Sequence, residues 1–207
     1  MQLFNEVKSQ KSLELILSKV QLIEGDCSAI NLNISEVNQQ VLAENVSMIF
    51  HFAATVRFSE KFKRALLLNV RGTREMLKIS KTCKNLKLFC HISTSYCHLD
   101  EKILLEQFYP SPFDPKGALK IAEESDEAQT EEIFSKYLSK NIPNSYVFTK
   151  AIAETLIIES QLPVLICRPA IVAQTYGGHL TGWTDNLNNM TGLIASGCMG
   201  IMRSLNC

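Results

Sequence analysis

Short apolar runs alternate along the chain with longer segments in which apolar residues recur every three or four positions. A short, bounded apolar run is typical of a strand buried on both faces of a parallel sheet, and the wider spacing is typical of an amphipathic helix. The pattern predicts strands at residues 20–23, 46–52, 86–92 and 164–167. It predicts helices at residues 12–19, 35–44, 60–83 and 146–161.

Strands that alternate with helices of this length predict right-handed crossovers and a doubly wound, parallel α/β sheet. Ligands of such sheets bind outside the carboxyl ends of the strands. The residues that follow the predicted strands are mostly small or polar, so we expect them to line a binding crevice. They are Gly25-Asp26, Ala53-Ala54-Thr55, Ser93-Thr94-Ser95 and Pro169-Ala170-Ile171.

Residues 97–140 interrupt this alternation. The segment contains Pro110, Pro112 and Pro115, and residues 123–127 form the acidic stretch Glu-Glu-Ser-Asp-Glu. Proline disrupts regular structure, and a run of like charge is typical of a solvated surface. We therefore expect an insert that carries one solvated helix, within a single partial domain that covers residues 1–207.

The composition excludes some classes of protein and some partners. The 207 residues include 21 basic and 21 acidic side chains, so no basic excess exists to attract nucleic acid, and we expect no nucleic-acid partner. The seven cysteines form no C-x-x-C pair, which favours reduced thiols in a cytosol-facing protein. No apolar run approaches the roughly 18 residues of a membrane span, so we expect this chain to be soluble.

Tyr146 and Lys150 stand four residues apart on a predicted helix, which places both side chains on one face. A nearby ammonium favours the phenolate, so the pair can act as a general acid and its regulator, although the spacing also suits an ordinary solvated helix face.

The hydroxyls of residues 93–95 directly follow a predicted strand, where one of them could hydrogen-bond a carbonyl or an oxyanion. For any single hydroxyl, capping of the next turn is an equally good interpretation.

His91, Cys97 and His98 come nearest to a metal-ligand pattern. Their H-x5-C-H spacing matches no common zinc motif, and His91 lies within a predicted strand. We interpret them as core and loop residues and expect no metal site. No G-x-G-x-x-G nucleotide motif occurs in the sequence either.

Seven segments that follow one another along nearly the whole chain resemble a single family. They are EGD (24–26), FHFAATVRF (50–58), LLLNVRGTREML (66–77), HISTSYC (91–97), YVFTKAIAE (146–154), RPAIV (168–172) and GWTDNLNNMTGL (182–193). The sequence is similar to the extended short-chain dehydrogenase/reductases and, within them, to the fatty acyl-CoA reductases of the male-sterility type. The Tyr/Lys pair is general to short-chain reductases, whereas AATVRF, NVRGTREML and GW-x-DN are more particular. The resemblance implies a Rossmann-like sheet.

The resemblance also implies a role for each matching residue. Tyr146 would be the proton donor, Lys150 would hold the nicotinamide ribose and lower the pKa of Tyr146, and Thr94 would be the active-site hydroxyl, with Ser93 and Ser95 as open alternatives. The other implied cofactor-binding residues are Asp26 at the adenine, Ala53, Ala54 and Thr55 along the pyrophosphate and ribose, Asn69 near Lys150, and Pro169, Ala170 and Ile171 at the nicotinamide. Ala170 is a mild departure, because relatives often have Ser there.

The implied reaction is the NADPH-dependent reduction of a long-chain fatty acyl-CoA to a primary fatty alcohol through an aldehyde. The first strand and the glycine-rich loop of the dinucleotide-binding domain have no counterpart here, so we expect a chain that is truncated at both ends and inactive or weakly active alone. Membrane contact is expected only through the absent segments, with the complete enzyme at the endoplasmic reticulum or peroxisome membrane. Two alternatives stay open: another extended short-chain dehydrogenase or epimerase, and a catalytically silent scaffold.

Overall fold

The computed structural model describes residues 17–177, 180–184 and 186–204. The chain divides into two compact units, Ile23–Pro169 and a smaller unit that combines Met1–Leu22 with Ala170–Cys207. The larger unit contains the sheet, the helices that cover it and most of the predicted site residues.

Three parallel strands form the sheet of the larger unit. They are β1 (Met48–His51), β2 (Leu88–Ile92) and β3 (Val164–Cys167), and they pair in the order β1-β2-β3. Phe50 lies opposite Cys90 in the register, and Cys90 lies opposite Leu165. Each strand falls inside or coincides with one of the apolar runs, which confirms the predicted parallel α/β class.

Six helices and one wide turn connect and flank these strands. They are α1 (Glu36–Asn45), α2 (Phe62–Ala65), the π-helical turn Leu66–Arg71, α3 (Gly72–Thr82), α4 (Pro115–Glu124), α5 (Glu127–Ser135) and α6 (Ser145–Glu159). Side chains that accept a hydrogen bond from the first turn fix several helix starts: Ser35 begins α1, Asp126 begins α5 with a full capping box, and Asn144 begins α6.

One face of the sheet packs against α3 and α6. Phe89 on β2 is buried with Leu77 of α3 and Ile157 of α6. On the opposite face, Phe50 and Leu165 are exposed, at 56% and 49%. Because successive strand residues point to opposite faces, the helices that the structure describes in this unit cover one face of the sheet.

The segment between β2 and α6 differs from the predicted insert with one solvated helix. It contains two helices, α4 and α5, and the acidic stretch is where the first ends and the second begins. Their apolar faces are buried: Ala118, Leu119 and Phe134 share a core cluster with residues of α2 and α6. The expectation of a solvated helix was wrong. The acidic residues lie at the helix ends, and each helix has a short apolar face that packs into the core.

The predicted strand at residues 20–23 was also wrong. Among the described residues it has no ladder partner, and Leu22 is almost fully exposed. The predicted helix at 12–19 lies mostly outside the described residues. In the smaller unit, the structure describes helix α7 (Asn189–Cys198) and a turn closed by a 3.0 Å hydrogen bond from Thr175 N to the carbonyl oxygen of Trp183.

Candidate active site

The carboxyl ends of the three strands meet at one edge of the sheet, as the sequence predicts. Because the strands are parallel, the residues that follow His51, Ile92 and Cys167 all leave the sheet on the same side. Two hydrogen bonds join the second and third of these ends: Ser93 N donates to the Cys167 carbonyl at 2.8 Å, and Ser95 N donates to the Pro169 carbonyl at 3.0 Å.

Lys150 reaches this edge from α6. Its side chain is 3% exposed, and its ammonium donates to the carbonyl oxygen of Ile92, the last residue of β2, at 2.7 Å. Burial lowers the pKa of Lys150 to about 8, while Cys97 and Glu154 oppose that shift. An ammonium has three donors. Among the described residues we find one acceptor for it, so two donors remain for a ligand.

Tyr146 lies one turn before Lys150 and is half-buried. Burial raises its pKa, and the Thr94 hydroxyl beside it acts in the opposite direction. The causes of this shift are burial, Thr94 and Cys97, and the lowering of the Tyr146 pKa by Lys150 stays a prediction. A phenol with a raised pKa is protonated at neutral pH, which is the state that a proton donor requires.

The three consecutive hydroxyls after β2 have different surroundings. Ser93 donates its hydroxyl hydrogen to a carboxylate oxygen of Glu154 at 2.5 Å. Thr94 is 5% exposed and lies beside the Tyr146 phenol, whose pKa it lowers, and its Oγ1 accepts a hydrogen bond from Tyr96 N at 3.3 Å. The geometry therefore brings Thr94 together with Tyr146, and it directs the Ser93 hydroxyl away from them.

Asn69 lies in the π-helical turn, and its amide group is fully engaged within the protein. Its Oδ1 accepts from Thr55 N at 2.8 Å, and its Nδ2 donates to the Thr55 carbonyl at 3.2 Å and to Thr149 Oγ1 at 2.9 Å. With these partners Asn69 holds the backbone of Thr55 in place. It thereby fixes the turn that contains Ala53 and Ala54, of which Ala53 is exposed.

Asp26 lies in an exposed turn before α1. Its carboxylate accepts from the backbone N and the hydroxyl of Ser28, both at 2.7 Å, and these hydrogen bonds lower its pKa. Gly72 brings α3 against this turn: a Cβ there would lie 2.7 Å from the Cys27 carbonyl oxygen. Arg71 donates to the Ser28 carbonyl and closes the same contact.

The remaining predicted site residues follow β3. Pro169 is partly buried and accepts the hydrogen bond from Ser95 N, so it lies at the same edge as Thr94. Ala170 and Ile171 are exposed and belong to the smaller unit. Their role at a cofactor stays a prediction.

Glu154 is the main residue of this region that the sequence interpretation missed. It stands four residues after Lys150, so Tyr146, Lys150 and Glu154 share one face of α6. Its carboxylate is 0% exposed and binds Arg168 through two hydrogen bonds, at 2.9 and 2.7 Å. The Y-x-x-x-K-x-x-x-E spacing in the sequence was the signal that could have identified it.

A parallel α/β sheet with Thr94, Tyr146 and Lys150 near the carboxyl edge of β2 is the arrangement of the extended short-chain reductases, a class that uses a nicotinamide cofactor. The profile of the NAD-binding family described as male sterility protein matches residues 1–207. The chain belongs to this family.

Curated relatives support the resemblance to fatty acyl-CoA reductases. Fatty acyl-CoA reductase wat of Drosophila melanogaster is 40% identical over 187 residues, which cover 89% of this chain and 36% of that protein. Fatty acyl-CoA reductase 1 of Homo sapiens is 35% identical over 189 residues, which cover 90% of this chain and 36% of that protein. The chain thus spans little more than a third of the length of these relatives.

Solved structures resemble the fold. The terminal R domain from the myxalamid PKS-NRPS biosynthetic pathway superposes with a TM-score of 0.64 at 23% identity, over 91% of this chain and 42% of that one. A thiolation-reductase di-domain from an archaeal non-ribosomal peptide synthetase gives a TM-score of 0.55 at 22% identity, over 93% of this chain and 45% of that one. At this identity the likeness shows the fold alone.

Proposed function

We propose that the protein reduces long-chain fatty acyl-CoA with NADPH to the primary fatty alcohol, through an aldehyde. The observation that carries the proposal is that Thr94 and Tyr146 lie together at the strand end that Lys150 binds, in a chain whose relatives are named fatty acyl-CoA reductases. Because the substrate is a lipid, we propose the endoplasmic reticulum or peroxisome membrane as the location of the complete protein. No helix among the described residues is long and apolar enough to cross a membrane.

The polar groups of Lys150 and Asp26 fit a nicotinamide dinucleotide. The two donors of Lys150 that lack an acceptor among the described residues suit ribose hydroxyls, and the ionised Asp26 suits the amino or hydroxyl donors of the adenosine half. Ala53 offers only a methyl group, so the backbone after β1 stays accessible to a pyrophosphate. Asn69 would hold that backbone in place through Thr55.

In the proposed reaction the bound cofactor supplies hydride to the carbonyl carbon of the substrate. Thr94 and Tyr146 donate hydrogen bonds to the carbonyl oxygen and stabilise the negative charge that develops there. Coenzyme A leaves as the thiolate when the first reduction product collapses to the aldehyde. In the second reduction, for which a second NADPH would supply the hydride, Tyr146 gives its proton to the alkoxide, and the positive charge of Lys150 favours the phenolate that remains.

The test is Tyr146→Phe in the purified complete protein. We expect acyl-CoA-dependent oxidation of NADPH to fall by at least about 10²-fold, because the variant has no proton to donate. Tyr137→Phe is the matched control, since Tyr137 packs its ring against Phe113 and Phe148 and should keep full activity. Equal activity of both variants would refute the proton-donor role. Mass spectrometry of the products distinguishes alcohol from aldehyde, and a parallel assay with NADH tests the choice of cofactor.

A further inference from the structure

Glu154 is a buried carboxylate with an unusual number of donors around it. It is 0% exposed, and it receives hydrogen bonds from Ser93 at 2.5 Å, Cys97 at 3.2 Å and His98 at 3.0 Å, besides the two from Arg168. Burial would raise its pKa, and the hydrogen bonds from His98, Arg168 and Ser93 outweigh that effect and hold the pKa well below its usual range. The group is therefore ionised at neutral pH.

The partners of Glu154 come from different parts of the chain. Ser93, Cys97 and His98 belong to the segment after β2, and Arg168 follows β3. Arg168 is held in turn by the Tyr109 ring, 5.2 Å from its guanidinium carbon, and by the Gln107 carbonyl at 3.0 Å. One carboxylate thus connects α6 to the two strand ends that flank the site.

These contacts enclose the backbone at Thr94. On one side, Lys150 holds the Ile92 carbonyl at 2.7 Å, and one helical turn further along α6, Glu154 holds the Ser93 hydroxyl. On the other side, the Cys97 thiol shares its single hydrogen between the Thr94 carbonyl oxygen at 3.0 Å and a Glu154 carboxylate oxygen at 3.2 Å. The helix that carries Tyr146 therefore also fixes the segment that presents the Thr94 hydroxyl to it.

A cation is the competing interpretation of this cluster. Cys97, His98 and Glu154 each offer one ligand atom, and these atoms lie within 4.8 Å of one another. However, the Arg168 guanidinium already binds both carboxylate oxygens and would repel a cation at close range. Burial also raises the pKa of the Cys97 thiol to about 12, which disfavours the thiolate that metals bind. We therefore interpret the cluster as an anchor for the surrounding backbone.

We propose that Glu154 is a positioning residue for the reduction, which acts through Ser93 on Thr94 and through its charge on Lys150. This inference rests on the proposed function. Glu154 itself touches neither substrate nor cofactor in the proposal. It fixes the distance between the two hydroxyls that hydrogen-bond the reacting oxygen, and small displacements of such groups can cost about 10²-fold in rate.

The first experiment compares Glu154→Gln with Glu75→Gln in the complete protein. Glu75 is the matched control: it is also 0% exposed and ion-paired, but its side-chain partners, Arg74 and Lys78, are on its own helix, and its one distant partner is the backbone N of Asn31. We expect Glu154→Gln to lower kcat by about 10–100-fold at saturating substrate, and Glu75→Gln to lower the melting temperature while kcat is kept. Equal losses of kcat in the two variants would overturn the proposal.

The pH profile separates positioning from loss of folded protein. Lys150 faces His51 on β1, His91 on β2, and Cys97, Glu154 and Tyr146 around the site, with Arg168 paired to Glu154. Glu154 raises the pKa of Lys150, so its neutralisation should move the alkaline limb of kcat to lower pH. An alkaline limb that stays in place in Glu154→Gln would contradict the electrostatic part of the proposal.

A second measurement does not depend on activity. Amide hydrogen exchange at Ser93 and Ser95 reports the two bonds that hold this segment to the end of β3. We expect faster exchange there in Glu154→Gln and wild-type exchange in Glu75→Gln, even if the complete protein does not reduce acyl-CoA and the proposed function fails. Unchanged exchange in Glu154→Gln would refute the anchor.

Should Glu154→Gln not fold, Ser93→Ala replaces it, with Ser80→Ala as the control. Both serines are buried, and Ser80 donates to the Met76 carbonyl within α3, away from the site. Only Ser93→Ala should lower kcat and accelerate exchange at Ser95. Equal changes in kcat and in amide exchange in the two serine variants would refute the proposal.

Discussion

Two fully buried carboxylates, Glu154 and Glu75, differ in how far along the chain their partners lie. Glu75 binds Arg74 and Lys78 beside it on α3, and it reaches one distant group, the backbone N of Asn31, at 3.2 Å. Glu154 binds side chains that are 56 to 61 positions earlier in the sequence and Arg168, 14 positions later.

The difference shows that burial and ion pairing alone do not indicate a site. The cations around Glu75 are partly exposed, with side chains at 29% for Arg74 and 54% for Lys78, so water competes for them. The Arg168 side chain is only 11% exposed, so Glu154 depends on it much more. We expect a carboxylate that connects several strand ends to control the positions of the site residues there. A carboxylate that mainly binds its own helix should chiefly affect the stability of the fold.

Removal of the cation should give the largest contrast between the two carboxylates. Arg168→Met leaves Glu154 buried without its main countercharge, and we expect a loss of about 3–5 kcal/mol in the free energy of unfolding. Arg74→Met leaves Lys78 in place and should cost about 1 kcal/mol or less. Urea unfolding of both variants measures the difference, and similar losses would show that the two sites are energetically alike.

Gly72→Ala should give a smaller loss of stability, and it changes α3, the helix that carries Glu75. The new methyl group would meet the Cys27 carbonyl oxygen at 2.7 Å, so α3 and the Asp26 turn must separate, at a cost of about 1–3 kcal/mol. The control is Gly197→Ala in α7, where a Cβ meets nothing within 4 Å and better helix propensity should stabilise by up to about 1 kcal/mol. Equal effects on the melting temperature would refute the close contact at Gly72.

The smallest expected effect is in the pH dependence of stability. Because the pKa of Glu154 is lowered by folding, its ionised form stabilises the protein above the ordinary value of 4.5, and this contribution is lost as the pH falls below it. The advantage of wild type over Glu154→Gln should therefore shrink by about 1 kcal/mol between neutral pH and pH 4.

His51 adds the same pH dependence of stability to wild type and to Glu154→Gln. Burial lowers its pKa from 6.5 to about 4, so stability is lost as the pH falls through this window in wild type and mutants alike. The difference between wild type and Glu154→Gln cancels this background. An advantage that stays constant from neutral pH to pH 4 would contradict the ionised state assigned to Glu154.

Much of the fold could be predicted because each buried strand is a short apolar run. The predicted strand at 164–167 coincides with β3, and the predicted helix at 146–161 differs from α6 by two residues at most. The strand predicted at 20–23 failed because strands need a pairing partner, which apolar character alone does not supply. One helix was expected where α4 and α5 form, and the second helix and both buried faces were missed because charged residues at the junction dominate the local composition.

The candidate site was only partly predictable. The rule that parallel strands end at one edge correctly brought the Ser93–Ser95 segment toward the helix of Tyr146 and Lys150. Glu154 holds the Ser93 hydroxyl from 61 positions away, and in our proposal this contact decides which hydroxyl faces Tyr146. Contacts of this kind depend on how α6 rotates against the sheet, and no local pattern around Ser93 or Glu154 specifies that rotation.

In the segment that contains the π-helical turn Leu66–Arg71, the number of residues is more constrained than their identity. Two anchors lie on one continuous helix: Asn69, within the turn, holds Thr55, and Glu75, beyond it, holds Asn31. Deletion of one residue from the turn would rewind it and rotate everything downstream by about 100° relative to everything upstream. Only one of the two anchors could then keep its partner. Substitutions in this stretch should therefore be tolerated more readily than any insertion or deletion.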